Sequence, residues 1–184
     1  MSVTDRAGAV RDAIVAVVAD RGLDATTMSA VAAAAGVATG TAYVHYPSKD
    51  ELLIGGYLHV KQELGRAAVA TLTAQMTPRE RFESIWQQAQ RHLAAHPERA
   101  RFLVQFEHST LAAAAHDRMV SSGDDPMTDA TADLMDEFVD LPPLVLYDLA
   151  LGPMVRLVAT GRSTTDDELR ALRDACWRAV ARPS

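Results

Sequence analysis

Between Thr27 and Lys49 the chain sets hydroxyls, an imidazole and one ammonium at short intervals: Thr27, then Thr39-Gly40-Thr41, Tyr43, His45 and Lys49. No such set breaks bonds, and the chain carries no nucleophile motif, no phosphate-cradling glycine loop and no nucleotide fingerprint. What these groups can do is donate hydrogen bonds to phosphate oxygens and base edges. A second cluster has the residue types of a zinc site: His92 and His96 four apart, with Glu107, His108 and His116 further on. No cysteine or HExxH motif accompanies it. His96-Pro97 reads more simply as a helix end, where a histidine suits the helix dipole. Neither a metal nor a cofactor is expected.

The elements that must position the first set are two short helices and a tight turn. Thr27 is a good N-cap for a helix whose buried side is Met28, Val31, Ala32 and Ala35, and Gly36 ends that helix where positive φ is needed. A second helix, Thr39 to Tyr46, follows almost at once, with small side chains first and Tyr43, His45 and Tyr46 after. That order suits a helix whose N-terminal end enters the major groove of DNA while hydroxyls and the imidazole reach flanking phosphates. The pattern is a helix-turn-helix. A preceding helix is predicted from Arg6 to Asp20, with Val10, Ala13, Ile14, Val17 and Val18 on one face and Gly22 as its stop.

At fixed spacing, Thr26-Thr27, Val31-Ala32, Ala35-Gly36-Val37, Gly40-Thr41, Tyr43, His45, Tyr46 and Pro47-Ser48-Lys49-Asp50-Glu51-Leu52-Leu53 resemble the TetR (tetracycline-repressor-like) family of bacterial regulators. The resemblance is dense over about a quarter of the chain and general in helical layout beyond it. It implies an all-α fold: an N-terminal three-helix helix-turn-helix DNA-binding domain, residues 1–50, and a C-terminal helical ligand-binding and dimerisation domain, residues 51–184. It also implies roles. Thr27 and Thr41 would meet phosphates or base edges, Gly40 would let the backbone come close, Tyr43 and His45 would line the groove, and Lys49 would reach a phosphate; Thr39, at the same helix start, is a further DNA-binding candidate. Tyr46 stands where relatives have phenylalanine and is read as packing on the next helix. The chain departs from the family pattern at Ser29, where arginine is frequent, at Thr39, where a basic residue is frequent, and at Ala42, where leucine is frequent. Leucine-sized volume replaced by alanine costs about 2 to 5 kcal/mol unless neighbours fill the space.

Residues 1–50 hold four cations, Arg6, Arg11, Arg21 and Lys49, against five aspartates, a net of −1 that leaves −5 of the chain's −6 for the rest. Phosphate neutralisation supplies most nonspecific affinity, so binding should be weak and salt-sensitive unless a few placed contacts are doubled by a dimer. Hydrophobic residues are 48% of the 184 and charged ones 23%, a globular balance. No membrane span and no export signal are expected, and the one cysteine, Cys176, suits a reducing cytoplasm.

Downstream, Ser48 with Glu51 predicts a capping box opening a long helix to about Ala74, and Thr77-Pro78-Arg79-Glu80 opens another to about His96. Helices are expected over 100–120, 127–139 and 144–160, the last apolar nearly all round, and from a capping box at Thr165 and Glu168 to the C-terminus. The resemblance implies that the last two pair with a second copy as a four-helix bundle, which the apolar helix also favours over a monomeric bundle, so that a twofold dimer meets a palindromic operator. The resemblance also places a small-molecule pocket among the central helices, with Trp86, Gln90, Phe102, Gln105, Phe106, Met119 and Phe138 as candidate walls. At 5% aromatic residues the chain favours an aliphatic or small effector over a stack of rings. Gly55-Gly56 is read either as a hinge in the long helix or as a site of close packing.

The expected function is a sequence-specific DNA-binding transcriptional regulator, a repressor released from its operator by an effector, with no enzymatic activity. The alternatives are an all-α metal-binding or enzymatic protein, and an all-α protein-interaction module without DNA binding.

Overall fold

The computed structural model describes residues 3–183, and every regular element among them is helical. The single exception to helical pairing is an isolated antiparallel bridge between Phe138 and Ala181. Packing divides the chain into two units.

The first unit comprises residues up to Lys61 together with Glu98–Asp124. It holds α1 (Val3–Arg21), α2 (Met28–Ala34), α3 (Thr39–His45), the first part of α4 (Lys49–Val69), α6 (Pro97–Glu107) and α7 (Ala112–Ser122). Its core is the set the 3.6-residue period selects on α1, Val10, Ala13, Ile14, Val17 and Val18, joined by Leu52, Leu53, Tyr57, Phe102 and Phe106. Tyr57 stacks on Phe106 at 4.4 Å between ring centroids. Its hydroxyl donates to Glu107 Oε1 at 2.6 Å, and His116 Nε2 lies 2.8 Å from that hydroxyl and 3.0 Å from Glu107 Oε2. A fully buried tyrosine thus has its polar end satisfied.

The expected helix over 100–120 is broken. α6 stops at Glu107, and the amide of Ser109 turns back to the Phe106 carbonyl while its hydroxyl accepts from the amide of Leu111. A serine that offers the backbone a local partner competes with the helical ladder, and the chain restarts as α7 only at Ala112.

Gly55 and Gly56 are closely packed. A Cβ on Gly55 would stand 2.9 Å from the Tyr46 ring, and one on Gly56 would stand 2.9 Å from Ile14 Cγ2 and 3.5 Å from Phe102 Cζ. Of the two sequence readings, close approach is the one the geometry supports, and Tyr46 is the packing residue expected of it. Protein interiors have no room for an unplanned methyl at such distances.

The second unit comprises Gln62–Pro97 and residues from Asp125 onward. It holds the end of α4, α5 (Pro78–Ala95), α8 (Pro126–Thr131) with a 3₁₀ turn at Ala132–Glu137, α9 (Pro143–Ala150), α10 (Gly152–Ala159) and α11 (Asp166–Val180). α5 and α11 both start at complete capping boxes, Thr77 with Glu80 and Thr165 with Glu168. Phe82 and Phe138 both pack against Trp177, and Arg79 lies over the same indole while it donates to Glu83 and Asp174. Cys176 is buried, and burial pushes its thiol pKa up, which leaves it an inert core residue.

Three sequence expectations are corrected here. The long helix ends at Val69 instead of near Ala74: the Leu72 amide closes a turn on Val69, and Thr71 turns its hydroxyl to Ser84 at 2.7 Å. The 127–139 segment is α8 followed by the tighter 3₁₀ turn, because Asp125 caps Met127 and the Thr131 hydroxyl bonds back to the Met127 carbonyl. The apolar 144–160 run is two helices meeting at Leu151. Pro153 has no N–H to give and its ring excludes a continuous ladder, so it serves as an early residue of α10.

Candidate nucleic-acid interface

The site is built inside the first unit from α2, the glycine turn and α3. Thr27 caps α2 by accepting from the Ala30 amide at 3.2 Å, and its hydroxyl lies 3.1 Å from that of Ser29. Met28, Val31 and Ala32 go into the core, while Ala35 is only half-buried. Gly36 takes φ 67°, its amide bonds to the Ala33 carbonyl, and the amide of Val37 bonds to Ala32. These two bonds form a Schellman ending, which satisfies the last carbonyls of α2 and reverses the chain within two residues. That tight turn is why α3 can begin at Thr39.

One face of α3 is held by Ala42, which is wholly buried, with Met28 buried and Tyr43 half-exposed. Tyr43 therefore does not fill the volume that a leucine at 42 would occupy. The opposite face, Thr39, Gly40, Tyr43 and Val44, is exposed. Thr41 and His45 lie at the margins, half-buried, and Thr27 is exposed at the start of α2. Among the DNA-contact candidates, Thr39, Gly40, Thr41, Tyr43 and His45 thus share the short helix α3, and Thr27 is exposed at the N-cap of α2.

Lys49 is differently employed. Its ammonium donates to the carbonyls of Leu23, at 3.1 Å, and Thr26, at 3.2 Å, and so clasps the loop that leads into α2. Thr26 is itself buried and donates to the Gly22 carbonyl at 2.7 Å. The expected capping box at Ser48 is half made. The Ser48 hydroxyl accepts from the Glu51 amide at 3.1 Å, but the Glu51 carboxylate is taken by Arg118.

Sequence reasoning missed Val44, which is 81% exposed. The available signal was its place four residues after Gly40, on the side of α3 away from Ala42. Neither the Lys49 clasp nor Arg118 could be read locally, since their partners lie 23 to 67 residues away in sequence.

The effector-wall candidates fall in both units. Phe102, Gln105, Phe106 and Met119 belong to the first, where Phe102 and Phe106 are fully buried and Gln105 donates to the Val18 carbonyl at 3.1 Å. Trp86, Gln90 and Phe138 belong to the second, where Trp86 and Phe138 are core residues. Gln105 also lines an open cleft of about 810 Å³ in the first unit with Lys49, Leu53, His108 and Leu111. His92 and His96 have ring centroids 5.3 Å apart, and among the described residues no group of three metal-ligating side chains forms. No helix among the described residues is long and apolar enough to cross a membrane.

A glycine-turned helix pair presenting one exposed helix face, in an all-α chain, defines a helix-turn-helix protein. Residues 10–55 match the family described as bacterial regulatory proteins, tetR family. The chain is 39% identical over 80 residues to the HTH-type transcriptional regulator BetI of Rhizobium meliloti (strain 1021), a stretch covering 44% of this chain and 39% of that protein. The match thus spans about two fifths of that relative's length. In fold the likeness extends further. A tetR-family transcription regulator described as putative, from Shewanella sp. PV-4, superposes with a TM-score of 0.80 over 97% of this chain and 99% of the other at 24% identity. A TetR family transcription regulator from Marinobacter aquaeolei VT8 gives 0.76 over 97% and 96%, again at 24%. Residues 10–55 are thus similar to the tetR-family helix-turn-helix, and the described chain shares its fold with these two regulators.

Proposed function

We propose that this protein is a cytoplasmic, homodimeric, sequence-specific DNA-binding transcriptional regulator, a repressor that a small-molecule effector releases from a palindromic operator. The observation that carries the reading is the exposed face of α3, whose four outward positions, Thr39, Gly40, Tyr43 and Val44, follow the Thr27-capped helix and the Gly36 turn. Thr27, Thr39, Thr41, Tyr43 and His45 then supply donors for phosphates and base edges, and Gly40 lets the backbone approach. Lys49 has three N–H donors, two of them given to carbonyls, and the third serves a phosphate.

The dimer reading is supported by apolar surface in the second unit: Leu141, Leu144 and Val145 are 40%, 46% and 40% exposed, at and just before α9. Burying them against a second copy removes apolar area from water, and a twofold dimer carries two copies of α3. The division into a DNA-binding segment, 1–50, and an effector and dimerisation segment, 51–184, is retained as a functional one, distinct from the packing units. Phe102, Gln105, Phe106 and Met119, and Trp86, Gln90 and Phe138, are the proposed effector walls. No catalytic role is assigned to any residue.

The test is selection of bound sequences from a random double-stranded DNA pool at low salt. An inverted repeat with half-sites about one helical turn apart, or a multiple of it, is expected. A pool that stays random overturns the reading.

A further inference from the structure

The outward positions of α3 are Thr39, Gly40, Tyr43 and Val44, and none carries a charge. Val44 is the most exposed large apolar side chain among the described residues, at 81%. One turn earlier, Gly40 has a backbone that any residue could adopt, and a Cβ there would meet no atom within 4 Å. Nothing in the chain's own packing asks for that glycine, although glycine costs a helix about 1 kcal/mol relative to alanine. Helical side chains lean toward the N-terminus, over the residue four positions before. The Val44 methyls therefore stand over a turn that Gly40 leaves bare. An exposed apolar side chain thus stands over bare backbone.

We propose that Val44 and Gly40 read the C5 methyl of a thymine in the major groove. The proposal rests on the reading of α3 as the helix that enters DNA. Thymine presents an acceptor oxygen and a methyl group on its major-groove edge, and a valine can recognise only the methyl. Val44 thus specifies a thymine in each half-site without a hydrogen bond, which suits a helix face that has no charge to offer phosphates.

The experiment uses the duplex recovered by selection, with its thymines replaced one at a time by deoxyuridine, which removes the methyl and nothing else. Affinities are measured for the full-length protein and for Val44→Ala, whose unfolding temperature is checked first and should match because the side chain is exposed. At one position per half-site, deoxyuridine should weaken binding of the unaltered protein about fourfold, the worth of one buried methyl-sized group. Val44→Ala should bind both duplexes equally. The proposal is overturned if no thymine is sensitive, or if Val44→Ala keeps the full penalty. A pool that yields no bound duplex overturns the underlying reading of α3, so the two failures are distinct.

Discussion

The Lys49 ammonium donates to the carbonyl of Thr26 at 3.2 Å, tying the first residue of α4 to the residue just before the N-cap of α2. With its second bond, to Leu23 at 3.1 Å, it fixes the loop from which the helix-turn-helix departs. Lys49→Ala should therefore act twice. Unfolding measurements should show a loss of about 1 to 3 kcal/mol, because two part-buried carbonyls lose a charged donor. Titrations of DNA binding against salt should show a slope lower by about one phosphate contact. An unchanged slope with lowered affinity would assign Lys49 to the clasp alone.

Gly40→Ala separates folding from binding. A Cβ at this position meets nothing within 4 Å, so the variant should be as stable as the parent or up to about 1 kcal/mol more stable. Its affinity for the selected DNA should fall all the same. Retained affinity would mean that nothing approaches the backbone there.

Gly56→Ala should behave in the opposite way. The new methyl would press on Ile14 Cγ2 at 2.9 Å and Phe102 Cζ at 3.5 Å, and overpacking of about 1 to 3 kcal/mol outweighs the gain in helix propensity. Thermal unfolding should fall by several degrees, with DNA affinity below the transition unchanged. A selective loss of effector response at full stability would restore a hinge role.

What the sequence showed and what it hid divide by range. The Thr27, Thr77 and Thr165 caps and the Gly36 turn were legible because each needs only residues within about one turn of the chain. The break at Leu151 had its only local signal in Pro153, and the surrounding leucines and valines read instead as one continuous helix. The division of labour at Glu51 was hidden: Ser48 three residues back suggests a reciprocal cap, yet Arg118, 67 residues on, takes the carboxylate. Packing against a distant side chain decides what local spacing leaves open. The same holds for Gly55 and Gly56, whose reason for being glycine is Tyr46 and Ile14.

The Arg118 guanidinium meets Glu51 with two bonds, at 2.9 and 3.0 Å, joining α7 to the first turn of α4. Hydrogen bonding from Arg118 holds the Glu51 carboxyl below its ordinary value of 4.5, against an opposing desolvation. A carboxylate depressed in the folded state stabilises fully above its ordinary pKa, and that contribution is lost as pH falls through the lowered folded value. A double-mutant cycle with Arg118→Ala and Glu51→Gln should give a coupling of about 0.5 to 1 kcal/mol at pH 7, as exposed pairs do, and close to none once Glu51 is protonated. A coupling that does not change with acid would remove the pair from the account.

Leu144→Asp with Val145→Asp places two charges on the exposed start of α9. Sedimentation should show a shift from dimer to monomer at micromolar concentration, with a fall in operator affinity because two half-sites no longer bind as one. A dimer that persists would move the interface elsewhere.

The most direct test of the central claim compares the affinity of the protein for its selected duplex and for a scrambled duplex of equal length, with and without Tyr43→Ala. Tyr43 is 50% exposed on the outward face of α3, so its removal should leave the fold intact. The account predicts a clear preference for the selected duplex in the unaltered protein and a strongly reduced preference in the variant. An equal preference in both proteins would contradict the assignment of the α3 face as the surface that reads DNA.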